Sequence, residues 1–115
     1  MAITIRGLEN ASIFDIEGDM KRPAVGDVVT LHQFVKKQLE DGKRNLLLNF
    51  EKVDFIDSFG VGELLSSFVS TQNVGGKLKL VKISKKVRFL FEVTGIIKLF
   101  EVFDDEEEAT KSFSK

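Results

Sequence analysis

The segment "VDFIDSFGVGELLSSF", Val53 to Phe68, decides how this chain folds. An apolar, strand-like run ends at Asp57, and Ser58 follows. Two glycines then stand one residue apart, Gly60 and Gly62, and Val61, Leu64, Leu65 and Phe68 take up helical spacing. A strand passing to a helix over so short a junction is half of a crossover unit. Immediately upstream, "RNLLLNF" is a continuous apolar run bounded by polar residues, the pattern of a strand buried on both faces. Downstream, "NVGG" closes the helix before the strand "KLKLVKI".

The alternation continues in both directions. Ser84 is placed to cap "KKVRFLFEVTG", whose Val87, Leu90 and Phe91 form an apolar stripe. A strand is expected within Ile96 to Phe103, and "DDEEEATKSFSK" reads as a short terminal helix with its acids in the first turn, where the helix dipole favours them. Toward the N-terminus, Val28, Leu31, Val35 and Leu39 predict an amphipathic helix, with Asp27 as its cap and Gly42 as its stop. Before it, Ile3 to Arg6 and Ala11 to Ile16 alternate across a turn at Gly7 to Asn10, an opening hairpin that Gly18 ends. Strands joined through helices pair in parallel with right-handed connections. The expected fold class is therefore α/β, one domain over residues 1–115, with a mixed, mainly parallel sheet of about five short strands and about four helices.

Bulk properties narrow the function classes. With 115 residues the chain has room for one core, and 43% hydrophobic residues with a single Pro describe a folding chain rather than a disordered one. Seventeen basic and 18 acidic residues are spread along most of the chain, so no basic footprint argues for nucleic acid or anionic lipid. The absence of cysteine excludes disulfides, thiol nucleophiles and thiolate metal sites, and fits a cytoplasmic protein. No apolar run has the length of a membrane-spanning helix, and no secretory leader is expected.

Ser58 falls at the carboxyl end of a parallel strand, where open α/β sheets present their binding surface. Two readings of the junction stay open on spacing alone. Asp57 or Ser58 is a helix cap and the glycines permit close packing, or the hydroxyl serves a function. Several chemistries fail on the residues present. A phosphate-cradling loop needs a lysine after its second glycine, which "GVGELLSS" lacks; a dinucleotide fingerprint needs a third glycine where Leu65 stands. A nucleophile elbow would flank Ser58 with two glycines, but Ile56 and Gly60 occupy those places, and the lone histidine, His32, belongs to the first helix. Asp54 and Asp57 form too sparse a pair for a cation site, so no metal, cofactor or catalytic residue is expected. The acidic run Asp104 to Glu108 is read as a solvated helix start.

The run "DFIDSFGVGELL" resembles the serine signature of STAS domains, Asp-Ser-x-Gly-hydrophobic-Gly followed by apolar residues. The later "NVGGKLKLVKISKKVRFLFEVTGIIKLFEVFD" is similar to the same family's downstream strand, helix and strand, so the resemblance covers essentially the whole chain. It is nearest to the stand-alone bacterial anti-sigma factor antagonists rather than to STAS modules fused to anion transporters. The resemblance implies a non-enzymatic switch. The unphosphorylated antagonist binds an anti-sigma factor that is also a serine protein kinase of the ATPase type, and so frees a sigma factor for transcription. That kinase phosphorylates the signature serine, here Ser58, and a serine phosphatase reverses the modification.

By the same resemblance Asp57 holds the local turn or assists recognition, and Gly60 and Gly62 keep the approach to Ser58 uncluttered. Asp19, in "EGDM", matches the family's Gly-acid pair before the first helix and is expected on the partner-facing edge, in front of a loop, "MKRPAVG", longer than usual. Phe59 departs from the small residue common after the signature serine. It is expected either as a partner anchor or as a residue folded into the core. Two other classes remain open: a structural STAS module of a larger signalling complex with no sigma-factor partner, assembling with a sensor protein or with similar domains, including a second copy of itself, and a small-molecule binding domain or enzyme using the same carboxyl-edge cleft.

Overall fold

The computed structural model describes residues 1–24 and 30–114. An opening hairpin, β1 (Ala2–Gly7) and β2 (Ser12–Glu17), leads to α1 (Leu31–Glu40) and β3 (Asn45–Lys52). There follow α2 (Ser58–Asn73), β4 (Lys77–Val81), α3 (Lys85–Thr94), β5 (Val102–Phe103) and α4 (Glu106–Ser112). The five strands form one sheet in the order β1-β2-β3-β4-β5; β1 runs antiparallel to β2 and every other pair is parallel. That is the mixed, mainly parallel α/β sheet expected from the alternation.

Side-chain alternation sorts the core into two clusters. Phe14, Ile16, Leu46, Leu48, Phe50, Leu78 and Leu80 face one side, under Leu31 and Val35 of α1, Leu64 of α2, and Val87 and Phe91 of α3. On the other side Ile13, Leu47 and Val81 pack with Ala11, with Ala109 and Phe113 of α4 and, at the margin, with Phe103. Leu46, Leu47 and Leu48 of β3 are fully buried, as the continuous apolar run predicts, and burial of each such side chain contributes about 1.5–3 kcal/mol. Polar residues on the second side are stitched together. Arg6 donates to the Asp15 carboxylate and, through two nitrogens, to Glu106 of α4 at 2.8 and 3.0 Å.

Two details differ from the sequence expectation. Asp27 and Val28, expected at the start of the first helix, lie outside the described residues; the described helix begins at Leu31 behind a capping box made by Thr30 and Gln33. Of the apolar run Ile96 to Phe103, only Val102 and Phe103 are strand, while Ile96–Leu99 forms a 3-10 turn behind Gly95. Gly95 ends α3 at φ +80°, which turns the chain before it can extend again. The acidic run is a helix start: Asp105 caps α4, accepting from the Glu107 and Glu108 amides at 2.7 and 3.3 Å.

Candidate functional site at the carboxyl edge of the sheet

Beyond the end of β2, Met20 forms a parallel bridge with Ile56, which extends the β2–β3 pairing into the links that follow both strands. The Met20 amide donates to the Phe55 carbonyl at 2.9 Å, and the Met20 carbonyl accepts from the Asp57 amide at 3.0 Å. This ladder sets the segment after β2 beside the first turn of α2. Gly60 answers to the same contact. It is buried, and a Cβ there would collide with the Met20 carbonyl oxygen and come within 2.8 Å of Ile56 Cγ1. At Gly62, by contrast, an added Cβ would meet nothing within 4 Å.

Asp57 is the cap of α2. Its backbone is extended (φ −98°, ψ −175°), and its Oδ1 accepts from the Gly60 amide at 2.9 Å. The second oxygen, Oδ2, accepts from the Arg22 amide at 3.2 Å, so one carboxylate ties the helix start to the segment after β2. The Gly60 amide, with those of Arg22 and Phe59 and the Arg22 charge, holds the Asp57 carboxyl below the usual carboxylate range.

Because Asp57 takes the capping position, Ser58 becomes the first residue of the helix. It is exposed, and its hydroxyl makes no hydrogen bond with the described residues. The question left open by spacing is thus divided between two residues: the carboxylate caps, and the hydroxyl is available.

Next to Ser58 lies a cleft of about 820 Å³, whose walls include Asp19, Lys21, Arg22, Asp57, Phe59 and Glu63. Asp19 is exposed on it. Phe59 is half-buried, and the Arg22 guanidinium carbon stands 5.9 Å from the centre of its ring. Of the residues singled out in the sequence, Asp19, Asp57, Phe59 and Gly60 line this cleft, whereas Ser58 and Gly62 do not.

Met20, Arg22 and Glu63 escaped the sequence reading. Glu63 accepts the His32 amide at 3.1 Å, joining α2 to the first turn of α1, and His32 Nε2 lies 2.8 Å from Ser70 Oγ between the same helices. The pair of basic residues Lys21-Arg22 was visible, but nothing in the sequence placed it against a residue 35 positions on. Among the described residues no group of three or more His, Asp or Glu could hold a metal ion, and no helix is long and apolar enough to cross a membrane.

Similar proteins were found at both levels. BtrV of Bordetella bronchiseptica, provisionally named an anti-sigma factor antagonist, is 30% identical over 76 residues, which span 66% of this chain and 66% of BtrV. The chain therefore spans just under two thirds of that relative. The anti-sigma-B factor antagonist of Staphylococcus aureus is 28% identical over 80 residues, 70% of this chain and 74% of that protein. The Bacillus cell fate determinant SpoIIAA, an anti-sigma factor antagonist solved in unphosphorylated and phosphorylated forms, shares the fold. The unphosphorylated form superposes with a TM-score of 0.70 at 21% identity, over 96% of both chains. The phosphorylated form gives 0.71 at 23% identity, over 96% of this chain and 98% of SpoIIAA. The STAS domain matches residues 2–109, nearly the whole chain with its sheet, the serine behind the Asp57 cap and the cleft, and the chain belongs to the STAS domain family.

Proposed function

We propose that this protein is an anti-sigma factor antagonist, a partner switch controlled at Ser58, with residues 1–115 acting as one STAS unit in the cytoplasm. Unmodified, it binds an anti-sigma factor that is also an ATPase-type serine kinase, and a sigma factor is released for transcription. The observation that carries this reading is the unengaged Ser58 hydroxyl at the exposed start of α2, beside a carboxylate that has taken over the capping role. The names of the S. aureus and B. bronchiseptica relatives support the same reading.

The chemistry asks nothing catalytic of this chain. Ser58 Oγ attacks the γ-phosphorus of ATP; the new O–P bond forms as the bond to the β–γ bridging oxygen breaks, ADP leaves, and the hydroxyl proton passes to the kinase or to water. A phosphatase returns the hydroxyl by hydrolysis, releasing inorganic phosphate. The phosphoryl group adds roughly −1.5 to −2 charge. At the start of a helix that charge is favoured by about 0.3–1 kcal/mol, so the fold tolerates it. Buried unpaired against a partner, the same charge costs several kcal/mol, enough to change affinity by orders of magnitude. The switch therefore acts on the complex rather than on stability. Asp19 and Phe59 stand on the cleft beside Ser58 and form the partner-facing surface in this reading.

Wild-type protein and Ser58→Glu, used as baits in native extract supplied with ADP, test it. Capture of a serine-kinase anti-sigma factor by the wild type, and its loss by the Glu variant, is the expected result. Retention of one STAS-containing assembly by both, with no such kinase, would replace the switch by a structural module.

A further inference from the structure

We propose that Arg22 is the residue that receives a phosphoryl group on Ser58, leaving the Phe59 ring to do so; the inference rests on the proposed modification of Ser58. Arg22 is fixed to both neighbours of that serine. Its backbone amide donates to Asp57 Oδ2 at 3.2 Å, and its guanidinium lies over the ring of Phe59, 5.9 Å from the centre. With its backbone tied to residue 57 and its side chain resting on residue 59, Arg22 contacts the two residues that flank position 58 in the sequence. Neither Arg22 nor Lys21 forms a close ion pair with a carboxylate among the described residues, so the guanidinium breaks no ion pair when it turns, although its charge acts on nearby Asp57.

The energetics favour the move. A cation 5.9 Å from the centre of a half-buried ring is a weak contact, whereas a guanidinium fork on a dianionic phosphate makes two parallel charge-assisted hydrogen bonds. Lys21 also lines the cleft, but an ammonium lacks that fork. Pairing also offsets the repulsion that the new charge feels from Asp57. The consequence is a second change at the surface: as the guanidinium turns to the phosphate, the face of Phe59 it had covered opens to the cleft. Modification of Ser58 thus alters the shape and apolarity of the partner-facing surface as well as its charge.

The test uses the full chain with phosphoserine installed at position 58 during translation, so that no kinase or partner is needed. The phosphorus resonance is followed through a pH titration in wild type, Arg22→Gln, Arg22→Lys and Lys21→Gln. The second ionisation of phosphoserine lies ordinarily near pH ~6. It is expected about half a unit or more lower with Arg22 than with Gln, with Lys between them, because a nearby cation favours the dianion. Asp19, Asp57 and Glu63 remain in every variant, so the difference isolates the substituted side chain. Ring-proton shifts of Phe59 should respond to phosphorylation in the wild type and much less in Arg22→Gln. The same titration in wild type and Arg22→Gln, or a shift that follows Lys21→Gln instead, overturns the assignment. Unchanged unfolding midpoints of the unphosphorylated variants exclude misfolding as the cause. Since the phosphoserine is installed directly, a failed bait experiment would sink the proposed switch while leaving this measurement intact.

Discussion

Ser58 and Ser84 both stand where a parallel strand gives way to a helix, and they differ by one position. Ser84 is the cap of α3; its hydroxyl accepts from the Val87 amide at 3.1 Å and is consumed in holding the helix start. Ser58 lies one residue inside α2 because Asp57 has taken the cap, so its hydroxyl holds nothing. The same side chain in the same architectural place is structural in one helix and available in the other. The difference teaches that availability here is made by the preceding residue. An acid at the cap satisfies the first-turn amide and at the same time releases the serine behind it.

The comparison can be broken or sharpened by substitution, with urea unfolding at neutral pH as the measurement. The largest loss is expected for Gly60→Ala, about 1–3 kcal/mol, because the added methyl has to displace the Met20 carbonyl that carries the ladder to Asp57. Gly62→Ala, two residues on and facing open space, should instead gain about 0.5–1 kcal/mol from helix propensity. Equal effects at the two glycines would mean that the Met20 contact does not govern the helix start.

Next comes Asp57→Ala, which removes the cap and also frees the Arg22 amide, and so should destabilise more than loss of the Ser84 cap. The sign of its pH dependence follows from the direction of the shift. The folded-state pKa is depressed, so this contribution is present above the ordinary value of 3.8 and fades as pH falls through the lower folded pKa. The gap between wild type and Asp57→Ala should accordingly narrow in acid. A gap that widened there would contradict the role of the carboxylate.

Ser84→Ala is expected to cost about 1 kcal/mol as a lost cap. The smallest effect belongs to Ser58→Ala, within about 0.5 kcal/mol, as for an exposed side chain without a partner. A loss at Ser58 equal to that at Ser84 would show that the hydroxyl is engaged after all, and would remove the observation on which the switch rests.

Much of this was legible in the order of residues. The Leu46–Leu48 run, the helical spacing from Val61 and the cap at Ser84 are local signals, and the mixed sheet follows from their alternation. Other features were visible but ambiguous. Either Asp57 or Ser58 suits the capping position, and only the extended backbone of Asp57 decides between them. The sequence leaves Phe59 open between partner anchor and core; the structure sets it half-buried in a cleft wall beneath Arg22 rather than in the core. The Thr30–Gln33 capping box is as local a signal as Asp27, and the structure puts the cap of α1 at Thr30.

By itself, then, the sequence determined the alternating α/β plan, the position of the signature serine at a strand-to-helix junction and the family it belongs to, because periodicity, capping and motif are properties of neighbouring residues. Tertiary structure alone decided what surrounds that serine. Met20 and Arg22 reach Asp57 across 37 and 35 positions because β2 and β3 pair in parallel and continue their ladder past the strand ends. Such pairing is set by the registration of two distant strands against a shared core, and no local pattern in either segment contains it.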